Sequence, residues 1–218
     1  VQAGLGEQCD DGNTSDGDGC SSTCQTESSP TDYIAYWKLD ETGAPQDSSG
    51  NGYHGTVQNG AGYDGSDKAP LLFSNTYSRD FDGTTQYLEM SKNNALFPNS
   101  MTVSFWTKNH TTPSSWEGML CKTNGTTGSK GWGFYYGSSG QIRFFVERIA
   151  NNYAYASITP GNWNHILGTY NDSTGAIQIY VNGVAGTAGT NFDSLQKSTW
   201  LEIGRCGSSS YDINGRVD

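Results

Sequence analysis

From Tyr33 onward, apolar and polar side chains alternate in short runs separated by turn residues. MTVSFWTK (101–108) puts Val103 and Phe105 on one face and Ser104 and Trp106 on the other. IQIYVNGV (177–184) puts Ile177, Ile179 and Val181 on one face. A two-residue period is the period of a β-strand. The same reading makes AYWKL (35–39) the first strand and SRDFDGTTQYLEM (78–90) two strand pieces about a glycine turn. WEGMLCK, KGWGFYYG, QIRFFVER, YAYASI, NWNHILGTYN, TWLEIGR and YDINGRVD follow in order.

The punctuation agrees. Five Asn-Gly and five Asp-Gly steps each mark a tight turn. Asn182-Gly183 reads as a type I′ hairpin turn, and DSSGNGYHGT (47–56) as a turn cluster. No stretch shows a convincing 3.6-residue apolar period, and only SKNNAL (91–96) suggests a short helical turn. Many short strands without helices predict an all-β fold of two packed antiparallel sheets.

Residues 1–32 break the pattern. GEQCDDGNTSDGDGCSSTC (6–24) holds three cysteines, five acids and four glycines, and it lacks the apolar residues for a core. Disulfides, a bound cation or both must hold such a piece together, which predicts an extracellular or cell-surface protein. Residues 1–25 are therefore read as a cysteine-rich piece, 26–32 as a polar linker and 33–218 as the β domain.

The chain has five cysteines, an odd number. The simplest arithmetic pairs Cys121 with Cys206 across neighbouring strands. That leaves Cys9, Cys20 and Cys24, one of which needs a partner expected upstream of Val1. The net charge of −10, with 12 scattered Lys and Arg residues, argues against a nucleic-acid partner and favours cations. No apolar run reaches the ~18 residues of a membrane-spanning helix.

The strand series resembles the laminin-G-like, concanavalin-A-like jelly-roll family. The resemblance is carried by AYWKLDETG (35–43), DSSGNGYHGT, FDGTTQYLEM, MTVSFWTK, NWNHILGTYN, IQIYVNGV, LEIGR and INGRVD in that order. It implies a jelly-roll sandwich, a non-catalytic binding or adhesion module, and a calcium near the FDG turn held by Asp82, the carbonyl of Gly83 and Asp218. That family continues past GRVD into a further strand, so an open sheet edge is expected, with self-association through it in a surface fibre or stalk as the alternative function. Residues 6–24 resemble the cysteine-rich repeats of bacterial surface proteins, which implies a Cys9–Cys24 pair.

Calcium is the cofactor expected in the N-terminal piece, because Asp10, Asp11, Asn13, Asp16 and Asp18 offer hard oxygen ligands in a glycine-rich loop. Catalysis is not expected. Glu89, Glu117, Glu147 and Glu202 are isolated in sequence, and no Glu-x-Asp-x-Glu run exists. His165 is read as a packed strand histidine. A glycan or extracellular protein is the expected partner, since sugars stack on aromatic faces framed by polar groups. Trp116, Trp132, Tyr135, Tyr136 and Arg143 are the candidate ligand residues, with Tyr153 and Tyr155 nearby. Phe144 and Trp106 are assigned to the core.

Overall fold

The computed structural model describes residues 23–25, 33–71, 74–123, 130–147, 153–191, 200–207 and 211–218. Its strands are β1 (Thr56–Gln58), β2 (Gly62–Asp64), β3 (Ser78–Asp82), β4 (Tyr87–Met90), β5 (Met101–Asn109), β6 (Glu117–Thr123), β7 (Gly131–Tyr136) and β8 (Gln141–Val146). They continue as β9 (Tyr153–Ser157), β10 (Asn164–Asn171), β11 (Ala176–Val181), β12 (Val184–Ala185), β13 (Gly189–Thr190), β14 (Trp200–Ile203) and β15 (Asn214–Val217). One sheet runs β1-β4-β14-β6-β7-β8-β9. The other runs β12-β11-β10-β5-β15-β3-β2, with β13 also on β11. Every ladder is antiparallel, and the isolated bridge between Tyr155 and Thr187 joins the sheets along one side.

Alternation fills the space between the sheets. Phe134, Phe144 and Ile142 from the first sheet meet Phe105, Ile166, Ile177 and Ile179 from the second, all at most 8% exposed. The Phe134 ring stacks on Phe144 at 4.5 Å and meets Phe105 edge-on at 5.0 Å. Gly168 makes that close approach possible, since a Cβ there would lie 2.6 Å from the Phe134 ring. Burying each such side chain contributes about 1.5–3 kcal/mol.

The turn readings hold. Asn182 and Gly183 both adopt positive φ, 52° and 79°, as a type I′ turn requires, and Val181 pairs with Val184 across it. SKNNAL contains one 3-10 turn, Asn94–Leu96, capped by the Asn93 side chain. In DSSGNGYHGT the organiser is Asp47, which is 8% exposed. Its carboxylate accepts hydrogen bonds from the amides of Tyr36, Ser49 and Tyr53 and from the Ser49 hydroxyl, at 2.9–3.0 Å.

Two readings need correction. AYWKL forms only an isolated bridge, Trp37 to Asp47, because no strand among the described residues lies beside it. Trp106 is not in the core: Phe105 takes the inward position, so Trp106 faces out and leans on His165, 5.2 Å away. The last strand, β15, is interior, between β3 and β5. Asp218 continues it and exchanges backbone hydrogen bonds with Trp106. By alternation the amides and carbonyls of Thr102 and Ser104 face the same side as those of Trp106, and no strand among the described residues meets them.

The first sheet also has a buried outer face. Cys121 on β6 and Cys206 after β14 form a disulfide, with Cα atoms 5.2 Å apart and a sequence separation of 85. It stands with Tyr135 and Phe145 in a second apolar cluster, against which Trp116, Tyr153 and Tyr211 pack. Gly118 and Gly133 clear the space, since a Cβ at either would come within 2.5 Å of Cys206 or Cys121 sulfur. Cys24 is a free thiol, so the Cys9–Cys24 pair implied by the repeat resemblance is not formed. Three cysteines permit one pair and spacing does not choose it. Cys9 and Cys20 lie outside the described residues.

One core position breaks the binary pattern. Lys122 sits at an inward register between Trp132 and Leu201, fully buried, and its ammonium has no hydrogen-bond partner among the described residues. Burial pulls its pKa down to about 8. An uncompensated buried cation costs stability. Lys122→Met keeps the volume and removes the charge, so its melting temperature at pH 7 is expected to rise by several degrees; an unchanged or lower value would show that the amine is satisfied. The sign follows from linkage. The folded pKa lies below the unfolded 10.5, so wild-type stability carries a penalty at neutral pH that is relieved as pH rises from about 8 towards 10.5.

Carboxylates set the acid limb. Burial raises Glu117, Glu202, Asp212 and Asp218. These groups take up protons in the folded state before the unfolded one, so they stabilise as pH falls below neutrality. Asp64, held at about 2 first by the Ser66 hydroxyl, contributes stability that is present above its unfolded value of 3.8 and lost as pH falls towards 2. Calorimetry is therefore expected to show the melting temperature rising as pH falls below neutrality and dropping again once pH falls below 3.8 towards 2. A plateau running unbroken from pH 8 to pH 3 would contradict both sets.

The double substitution of Cys121 and Cys206 to Ala should cost about 2–4 kcal/mol, read as a lowered urea midpoint. Wild type treated with reductant in denaturant and refolded reduced should match it. Equal midpoints for oxidised wild type and the double variant would mean the bond contributes nothing.

Candidate functional site

The surface best equipped to hold a ligand lies on the flank of that outer layer. On β8, Phe144 and Ile142 turn inward, so Arg143 turns out. It is paired across the ladders with Tyr135 on β7 and Tyr155 on β9. Trp116 approaches from the β6 side and Tyr153 comes from β9. The guanidinium carbon lies 4.3 Å from the Trp116 ring centroid and 4.2 Å from that of Tyr153. Such cation–π contacts contribute roughly 0.5–2 kcal/mol each. The Trp116 ring is seated by Gly137 in the β7–β8 turn, where a Cβ would lie 2.5 Å from the indole. Tyr135 stacks on Phe145 at 5.2 Å and meets Tyr211 edge-on at 5.7 Å. Trp116, Arg143, Tyr153, Tyr155 and Tyr211 are each partly exposed, whereas Tyr135 is only 6% exposed and supports the patch from beneath.

Three of the five ligand residues expected from sequence, Trp116, Tyr135 and Arg143, are thus brought together. Trp132 and Tyr136 are not. Both alternate with Phe134 onto the inner face, 5% and 0% exposed, and the Trp132 indole donates to the Leu96 carbonyl. Both residues are on a strand, and the pleat fixes the face each one takes. Tyr211 was not anticipated, since it follows a serine run with no periodicity. Its role depends on the disulfide that draws residues 204–207 over the sheet.

The expected cation sites fare differently. Asp10, Asp11, Asn13, Asp16 and Asp18 lie outside the described residues. Asp82 and Asp218 are not brought together. Asp82 is paired with Asn214, four residues before Asp218 along an extended strand, or roughly 13 Å away. Calcium ligands must converge within about 2.6 Å of one ion. Asp82 instead accepts from the amides of Thr84 and Thr85, with Gly83 at φ 74° in the turn, while Asp218 accepts from Asn75 and the Ala69 amide. Asp80, on the same face of β3 as Asp82, is met by Arg216 and His110 at 3.4 and 3.5 Å. Among the described residues no three His, Cys, Asp or Glu side chains group to hold a metal.

The fold does pair two glutamates that are distant in sequence. Glu89 and Glu202 face each other across β4 and β14. Glu202 is 9% exposed, its carboxylate accepts from the Gly207 amide at 2.8 Å, and burial raises its pKa. A carboxylate covered in this way is not presented to a glycosidic bond. His165 bonds Ser104 at 2.8 Å and is half-buried, as its packed-histidine reading implied. A shallow depression on the other sheet, lined by Ser100, Thr102, Thr169, Asn171 and Gln178 among others, contains no charged group.

Solved structures with this fold include domain 4 of an extracellular arabinanase from Geobacillus stearothermophilus in complex with arabinotriose. It is 17% identical with a TM-score of 0.58, over 79% of this chain and 83% of that one. A Trypanosoma rangeli sialidase aligns at 16% identity and TM-score 0.61, over 83% of this chain, and the receptor-binding domain of botulinum neurotoxin type G at 11% and 0.60, over 84%. The chain spans only 28% of the sialidase and 46% of the toxin domain. At these identities the likeness is one of fold. No curated protein sequence is similar enough to this chain to carry a comparison. The model of the concanavalin A-like lectin/glucanase superfamily matches residues 82–218, while β1, β2 and most of β3 precede the match and complete both sheets. The chain belongs to the concanavalin A-like lectin/glucanase superfamily.

Proposed function

We propose that this protein is a non-catalytic, extracellular carbohydrate-binding module, acting in adhesion, whose ligand docks on the Trp116–Arg143–Tyr153 surface. The observation that carries this reading is the partly exposed Arg143 set against two aromatic rings on the flank of a rigid, disulfide-pinned sheet. Aromatic faces beside a polar, directional group are the ordinary means of holding a sugar. The arabinotriose bound to the Geobacillus domain adds support by analogy of fold. Calcium, held by Asp10, Asp11, Asn13, Asp16 and Asp18, is proposed to stabilise the N-terminal piece. The partner is then a glycan or a glycosylated extracellular protein.

A second reading, a building block of a surface fibre, is favoured by one observation. Thr102 and Ser104 turn hydrogen-bonding groups to a side of β5 where no described strand lies, and such an edge accepts a strand from a neighbour.

A glycan array run with calcium and again with chelator tests the first reading. Wild type should bind a defined glycan class, and Trp116→Ala or Tyr153→Ala should weaken it at least tenfold with the melting temperature of the β domain kept. Binding that persists in chelator leaves calcium structural. Absence of any glycan binding in both conditions, together with concentration-dependent association in sedimentation, would replace the binding reading with the building-block one.

A further inference from the structure

Resting on the carbohydrate-binding reading, a further inference concerns which sugars the surface selects. Of the arginines among the described residues, Arg79 faces Glu41, Arg205 pairs with Asp212, and Arg216 joins Asp64, Asp67 and Asp80. Arg143 alone has no carboxylate beside it. In a chain with 22 acidic residues and a net charge of −10, a guanidinium left without one is the exception.

Its aromatic neighbours do not replace that partner. Ring faces attract the positive charge, but they leave the five N–H donors of a guanidinium without acceptors. The Nε of Arg143 is shielded from solvent and makes no hydrogen bond with any described residue. Its terminal nitrogens also make none with any described residue. Those terminal donors have only water to bond, and a ligand that supplies an acceptor oxygen meets them without breaking a bond within the protein. The rings meanwhile fix the guanidinium in place, so little rotamer entropy is lost on binding. The two terminal nitrogens are not shielded in this way, and the fork they form matches the spacing of the two oxygens of a planar carboxylate.

We propose that the site selects glycans bearing a carboxylated sugar, a uronic or sialic acid, whose carboxylate accepts paired hydrogen bonds from the two terminal nitrogens of Arg143 while the sugar ring rests against Trp116 or Tyr153. The net charge of the protein keeps polyanions off the rest of the surface, so acid recognition is confined to this point.

The test is a panel of oligosaccharides containing uronic or sialic acid, each matched with its methyl ester, titrated against wild type, Arg143→Gln, Arg143→Lys and Trp116→Ala. Wild type should prefer an acid over its ester by about 10- to 100-fold. Arg143→Gln should erase that preference, so that acid and ester bind the variant alike. Arg143→Lys, which keeps the charge and the aromatic contacts without the fork, should restore only part of it and guards against a folding defect in the Gln variant.

Equal binding of acid and ester, with both lost in Trp116→Ala, would overturn the acid selectivity and leave the carbohydrate reading intact. Binding of no saccharide in the panel or of neutral glycans would defeat both. Arg143-dependent binding of sulfated sugars in place of carboxylated ones, or of a glutamate-rich peptide at the same affinity, would also overturn the proposal.

Discussion

The Cys121–Cys206 bond decides what the outer face of the seven-stranded sheet becomes. In a two-sheet sandwich that face would ordinarily be polar and wet. Here the bond stands at the centre of it, and Gly118 and Gly133 are the gaps that let it lie flat on the strands. Tyr135 and Phe145 close around it, so β7 is buried on both faces. The chain after β14 is drawn across the sheet, bringing Tyr211 against Tyr135. What stays accessible is the flank of this layer, where Trp116, Arg143 and Tyr153 meet. The ligand surface is thus the rim of a second small core, and rigid because it is continuous with it.

The opposite sheet solves the same problem with charge. On its outer face Arg216 lies between Asp64 and Asp80 and reaches Asp67, which also accepts from Lys108 at 2.7 Å and from the Trp163 indole at 2.9 Å. Asp64, Asp67 and Asp80 each have a cation to answer them. The contrast gives Arg143 its meaning: the same side chain faces three carboxylates on one sheet and two aromatic rings on the other. Exposed pairs of this kind contribute little individually. Asp47 contributes more, because burial pushes its carboxyl up while the hydrogen bonds from Tyr36, Ser49 and Tyr53 outweigh burial and hold it below the ordinary value.

Sequence alone determined the period of the strands, the turns and the fold class, because these depend on nearest neighbours. Asn182-Gly183 can adopt positive φ at low cost, and MTVSFWTK can bury one face only by alternating. The same locality explains where the reading stopped. Alternation says that Trp132 and Tyr135 face opposite ways but not which way is in, and only packing against the second sheet turned Trp132 and Tyr136 inward. AYWKL has the composition of a strand, yet a strand needs a partner, and partners come from the topology. The Asp82, Gly83 and Asp218 trio failed on register, since the antiparallel offset of β3 and β15 puts Asp82 beside Asn214. Lys122 at a core position, Glu89 opposite Glu202, and Arg143 between Trp116 and Tyr153 are contacts between residues far apart in the chain. Their distances are set by strand order and sheet curvature, and no local pattern of side chains encodes those.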